Sequence, residues 1–220
     1  MLNHRLSTCL PYLKGCTVLY DIGTDHAYFP IYAIKEGLIK KAYAIDNKIG
    51  PLSLAKDNIE KHGLSDKIYP ILASGIDAMK PEVDIIMMAG LGGNLIYDIF
   101  KSANLPYVKR LILQPNNNAS SVRRLIKNNY VITDEQIIIE NGTIYTIIIL
   151  EPGHKDYTEK EILFGPVLLK TKPALYKQQL ENELSHINSI IKQVPKGKLN
   201  PNLLKEALLI KEVLDEWSTN

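Results

Sequence analysis

Cysteine is scarce in this chain: 220 residues contain 2, Cys9 and Cys16. Two thiols make neither a disulfide framework nor a zinc ligand set, so no metal is expected. Free thiols fit a reducing compartment, and the expected localisation is cytoplasmic. Long apolar runs are missing as well. None approaches the roughly 20 residues of a membrane span. The opening MLNHRLSTCLPYLKG has no apolar stretch with a small-residue cleavage site, so no signal peptide is expected. An excess of one charge is also lacking, because 26 Lys and Arg against 24 Asp and Glu leave +2. A nucleic-acid partner would therefore have to meet a local basic patch rather than a global field. With 45% hydrophobic and 23% charged residues, 13 Gly and 12 Pro, disordered, collagen-like and coiled-coil classes are excluded.

What is present is an alternation. Short β-branched runs at 17–21 (TVLYD), 42–46 (AYAID), 67–72, 83–89 (VDIIMMA) and 108–113 (VKRLIL) read as strands. Amphipathic stretches at 30–37, 51–62, 92–102 and 119–129 read as helices between and after them. This rhythm predicts an α/β fold with a parallel sheet, covered on both faces by right-handed crossovers. It breaks at 131–151, where two strands are separated only by Asn141-Gly142. That dipeptide is a strong hairpin signal, because both residues must take positive φ. The parallel sheet therefore ends in an antiparallel hairpin. A boundary follows at 152/153. Beyond it the pattern is helical, starting from a capping box at Thr158–Glu161, with bends expected near Gly165-Pro166 and Pro173. A turn is expected at 195–201, and a last helix at 202–217 with Leu204, Leu208 and Val213 in register.

In an open α/β sheet, ligands bind beyond the carboxyl ends of the strands. The first such turn is Asp21-Ile22-Gly23-Thr24-Asp25-His26. A dinucleotide enzyme needs three glycines there, so that the backbone can approach a pyrophosphate. Here Gly23 stands between Asp21 and Asp25, whose carboxylates repel a pyrophosphate and suit the cationic S-adenosylmethionine. Asp46, ending the second strand, is placed to accept ribose hydroxyls, which it would do for either cofactor. Ala89, Gly90 and the glycines behind them permit close backbone approach and leave N–H groups at a helix start. Gln114 and Asn116, after the fifth strand, carry amides that could read a base edge.

The segments DIGTDHAYFP, IDNKIGPLSLA, AGLGG, LILQPN, ENGTIY and FGP, in this order, resemble the bacterial tRNA (adenine-22 N1)-methyltransferases. The resemblance covers nearly the whole chain. It implies a class I methyltransferase (Rossmann-like) sheet at 1–152 and an α-helical, coiled-coil-like tRNA-recognition domain at 153–220. It also implies S-adenosyl-L-methionine as donor and tRNA as partner; a monomer is expected. The chain departs from the family at Ala73-Ser74-Gly75-Ile76, where the family has Gly-Asp-Gly-Leu. The cofactor's adenine amine then falls to the Ser74 hydroxyl beside Gly75, or to Asp77.

N1 of adenine needs no deprotonation to attack a methyl group, but it becomes positively charged. Asp25 is the expected catalytic carboxylate, bonding the adenine amine and offsetting that charge. A base in structured RNA must first be flipped out, to lean on Tyr28 or on the Asn116 edge, with His26 beside the site. The expected RNA contacts are Arg5, Arg123 and Lys127, the last two lying four apart on one helical face. The rival readings are a methyltransferase for another substrate, a non-catalytic RNA-binding module and, least favoured, a nicotinamide-dependent oxidoreductase.

Overall fold

The computed structural model describes residues 2–194 and 200–218. Its chain divides into two compact units, 1–156 and 157–220.

The first unit is built on a seven-stranded sheet in the order β3-β2-β1-β4-β5-β7-β6. The strands are β1 (Val18–Ile22), β2 (Lys41–Asp46), β3 (Ile68–Leu72), β4 (Ile85–Leu91), β5 (Arg110–Pro115), β6 (Tyr130–Glu140) and β7 (Thr143–Pro152). Strands β1 to β5 pair in parallel, and β7 runs antiparallel between β5 and β6. All five residues of β1 are buried, as expected of a central parallel strand covered on both faces. The β6–β7 turn is Asn141-Gly142, at φ of 50° and 77°, as its sequence demands.

Preceding the sheet is a short helix, α1 (His4–Ser7), capped by the Asn3 side chain, which accepts from the Leu6 N–H at 2.9 Å. A 3₁₀ turn at Leu10–Leu13 follows. The sequence reading assigned no element here, although Leu2, Leu6 and Leu10 recur at helical spacing and pack against the core. Cys9 and Leu13 are fully buried in it. Both thiols are free, and burial pushes Cys9 up to about 12.

The covering helices are α2 (Tyr28–Lys35), α3 (Ile49–Lys61), α4 (Gly93–Phe100) and α5 (Ala119–Arg123). The last differs from the expected helix over 119–129: the α-helix stops at Arg123 and tightens into a 3₁₀ turn at Arg124–Asn128. Positions 123 and 127 therefore do not share one α-helical face.

The second unit holds α6 (Glu159–Phe164), α7 (Pro166–Thr171), α8 (Ala174–Gln193) and α9 (Pro201–Ser218). Breaks fall at Gly165-Pro166 and before Ala174, where Gly165 takes a φ of 90° and proline cannot continue a helix. The Thr158 capping box forms, with the Thr158 N–H donating to Glu161 Oε2 at 2.8 Å. In α9 the buried face is Ala207, Ile210 and Val213. Leu204 and Leu208, expected on it, are exposed, whereas Val213 is buried as expected. Of the turn expected at 195–201, residues 195–199 lie outside the described residues. No helix among those described is long and apolar enough to cross a membrane.

Candidate active site

The strand order reverses between β1 and β4, and a cavity of about 760 Å³ opens at their carboxyl ends. This is the place where a doubly wound sheet leaves a crevice between diverging connections.

The first wall is the turn after β1. Gly23 takes a φ of 72°, and its N–H donates to the Ile45 carbonyl at 2.8 Å, tying β1 to β2. Asp25 and Ala27 also occupy the left-handed region, at 54° and 56°. Strain of this kind, of order 1–3 kcal/mol per residue, persists only where the surroundings enforce it. Here the Ala27 N–H donates to the Thr24 carbonyl, and Asn58 Nδ2 donates to the His26 carbonyl. The result lifts the Asp25 side chain, 69% exposed, to the cavity rim. His26 Nε2 lies 3.6 Å from its carboxylate. The His26 ring stacks on Tyr28, with centroids 5.4 Å apart and planes 25° from parallel. Both rings line the cavity, and Tyr28 is more than half exposed.

Asp21 sits deeper and is buried. Its Oδ2 accepts from the Thr24 hydroxyl at 2.7 Å, while its Oδ1 has no hydrogen bond among the described residues. Burial pushes this carboxyl up to about 7; the Thr24 bond opposes the shift and the nearby Asp46 carboxylate adds to it. Thr24, which orients Asp21, was not singled out in the sequence, although a hydroxyl three residues after a strand-ending acid is a recognisable turn signal. Asp46 ends β2, and its Oδ1 accepts from the Lys48 N–H at 2.9 Å. Ser74, Gly75 and Asp77 all line the cavity, so both candidate partners for an adenine amine are present. Gly75 has a φ of 53°, and a Cβ there would stand 3.1 Å from Ile99 Cγ2.

At the end of β4, Ala89 and Gly90 line the cavity, and the register with β5 slips between Ala89 and Leu91. Gly90, at a φ of 79°, is clamped on both sides. Its N–H donates to Gln114 Oε1 at 3.1 Å, and its carbonyl accepts from Asn116 Nδ2 at 2.6 Å. The Gly93 N–H donates to the Asn117 carbonyl. The N–H groups of Gly90 and Gly93, expected to be free, are thus committed within the protein.

Two sequence expectations change. Gln114 is fully buried and does not read a base edge: its Oε1 serves Gly90 and Arg5, and its Nε2 donates to the Pro115 carbonyl at 2.8 Å. Arg123 is not a phosphate contact. It is 2% exposed, with Nε 2.7 Å from Glu135 Oε1, because a cation turned inward from α5 needs a buried carboxylate. Lys127 is exposed and is not among the residues lining the cavity. Arg5, by contrast, joins the cavity wall.

A buried acid with an unused oxygen fits an ammonium group, and an acid at the second strand end fits a ribose. Together with β7 inserted antiparallel beside β5, these features define a class I S-adenosylmethionine-dependent methyltransferase. Comparison narrows the class. A profile of the family described as tRNA (adenine(22)-N(1))-methyltransferase matches residues 19–216, and the chain belongs to that family. It is 36% identical to the Bacillus subtilis tRNA (adenine(22)-N(1))-methyltransferase, over 97% of each chain. Among solved structures, a Streptococcus agalactiae protein of the NADB-Rossmann superfamily superposes with a TM-score of 0.93, at 36% identity over 98% of each chain. A Streptococcus pneumoniae protein solved with S-adenosyl-L-methionine has a TM-score of 0.89, at 34% identity over 97% of this chain and 100% of that one. An M. capricolum relative was solved with S-adenosyl-homocysteine; it has a TM-score of 0.90, at 30% identity over 98% of each chain.

Proposed function

We propose that this chain methylates N1 of adenosine 22 in tRNA, with S-adenosyl-L-methionine as donor. When bound, the donor supplies a methyl group made electrophilic by its sulfonium. The observation that carries the reading is Asp21: a buried carboxylate, held by Thr24 with one oxygen unused, at the floor of a cavity ringed by further acids. Such a cavity favours a cationic ligand and disfavours a pyrophosphate.

Each residue then has a separable task. Asp21 takes the ammonium group, and Asp46 takes ribose hydroxyls with the oxygen that Lys48 leaves open. Ser74 or Asp77 receives the cofactor's adenine amine. Asp25 accepts from the amine of the target adenine and offsets the charge that develops on N1. The stacked His26–Tyr28 pair offers an exposed aromatic face for a base turned out of the RNA. Catalysis of this kind is mostly positioning, because the nucleophilic lone pair needs no activation. The α-helical unit recognises the tRNA body, and the protein works in the cytoplasm, in keeping with two free thiols.

The test is incubation with methyl-labelled S-adenosyl-L-methionine and a panel of tRNAs, followed by nuclease mapping. Label on adenosine 22 as 1-methyladenosine is the expected result. Label on another nucleotide or on protein, or no transfer at all, would overturn the assignment.

A further inference from the structure

We infer that Arg5 is a phosphate-binding residue of the substrate site, taking the phosphodiester beside the nucleotide that enters the cavity. The inference deepens the proposed function and rests on tRNA being the substrate.

Arg5 lies on α1, outside the residues 19–216 matched by the family profile. Its position is held from several directions. The backbone N–H donates to Glu140 Oε1 at 3.0 Å, and Nη1 donates to Gln114 Oε1. The guanidinium carbon stands 5.3 Å from the centroid of the Tyr145 ring. The side chain is 19% exposed and lines the cavity beside Gly90, with Nη1 3.5 Å from where a Gly90 Cβ would be. Despite this anchoring, Nη2 makes no hydrogen bond among the described residues. Nε makes none either, and lies 3.8 Å from Glu140 Oε2. A half-buried guanidinium, ion-paired with Glu140 on one side and leaving donors unused on the other, is a prepared anion site, since little side-chain entropy remains to be lost on binding.

The charge balance points the same way. Asp21, Asp25, Asp46, Asp77 and Asp98 all line the cavity, and they welcome a cationic donor but repel RNA. Arg5 and Lys48 are the lysine or arginine residues in that lining. Lys48 adjoins Asp46 at the ribose end, so Arg5 is the cation on the Gly90 side. A guanidinium fork also matches two phosphate oxygens, which one ammonium cannot do.

The experiment measures tRNA binding by wild type, Arg5→Gln and Arg5→Lys across a salt series, in parallel with cofactor titration by calorimetry. Cofactor affinity is expected to match wild type in both variants. Arg5→Gln should weaken tRNA binding by about tenfold. It should also flatten the slope of log K against log salt by about 0.7–0.9, the loss of one phosphate contact. Arg5→Lys should restore the slope but only part of the affinity. Unchanged tRNA affinity overturns the assignment. Weaker binding with an unchanged slope overturns it in favour of a base contact. Loss of cofactor affinity makes Arg5 a strut of the Gly90 turn instead. Wild-type protein that binds no tRNA would instead refute tRNA as the substrate, before any variant is compared.

Discussion

Arg123 Nε lies 2.7 Å from Glu135 Oε1, and both side chains are closed off from solvent. The pair joins the end of α5 to β6. Removing one partner of such a pair takes a close opposite charge from the other, costing roughly 3–5 kcal/mol. Arg123→Ala is therefore expected to lower the denaturant midpoint sharply while leaving the salt slope of tRNA binding unchanged. Replacing both residues with apolar ones of similar volume should recover most of the loss. Normal stability with weakened tRNA binding would return Arg123 to the RNA surface.

Asp21 links cofactor binding to pH. In the folded protein burial pushes its carboxyl up to about 7, against an ordinary aspartate value of 3.8. The folded protein thus holds a proton that the unfolded chain releases near pH 4. Stability from this group falls as pH rises between those values and stays low above 7. Asp21→Asn should raise the melting temperature of the cofactor-free protein at pH 8 and abolish tight cofactor binding. In the wild type, an ammonium partner stabilises the carboxylate. Cofactor affinity should therefore climb with pH up to about 7, and binding at pH 6.5 should release a proton detectable by calorimetry in buffers of different ionisation enthalpy.

Gly93 and Gly92 should respond differently to alanine. A Cβ on Gly93 would stand 2.6 Å from the Asn117 carbonyl oxygen and closer still to that of Asn118, both backbone atoms unable to yield. A Cβ on Gly92 meets the Asn117 side-chain oxygen at 3.4 Å, an ordinary contact. Gly93→Ala is expected to destabilise the fold by more than ~1 kcal/mol, as overpacked interiors do, whereas Gly92→Ala should melt close to wild type. Equal melting curves would contradict the close approach of α4 to the turn after β5.

Asp25 is best tested as Asp25→Asn. Asparagine takes a φ of 54° at less cost than alanine, so charge is removed with the turn kept. Single-turnover methyl transfer should fall about a hundredfold, with cofactor affinity retained. An unchanged rate would remove Asp25 from the chemistry.

Much of the first unit was legible in the linear pattern. The β–α rhythm, the Asn141-Gly142 hairpin and the acids flanking Gly23 are local signals: each depends on the φ, periodicity or chemistry of neighbouring residues. The Thr158 capping box is legible for the same reason, since its two partners are three positions apart. The α9 stripe was harder to read, because Leu204 and Leu208 are apolar enough for either face and only packing selects Ala207, Ile210 and Val213.

The destinations of the long polar side chains required the folded chain. Arg5 meets Gln114 and Glu140, 109 and 135 positions away, and no local pattern announces such partners. A strand-end amide invites a base-reading role for Gln114, yet burial commits its Oε1 to Gly90 and Arg5 and its Nε2 to the Pro115 carbonyl. Backbone conformation follows from nearby residues, so turns and strands are written in order along the chain. A charged or amide side chain goes where desolvation can be offset, and in this protein the compensating groups come from strands and helices far apart in sequence.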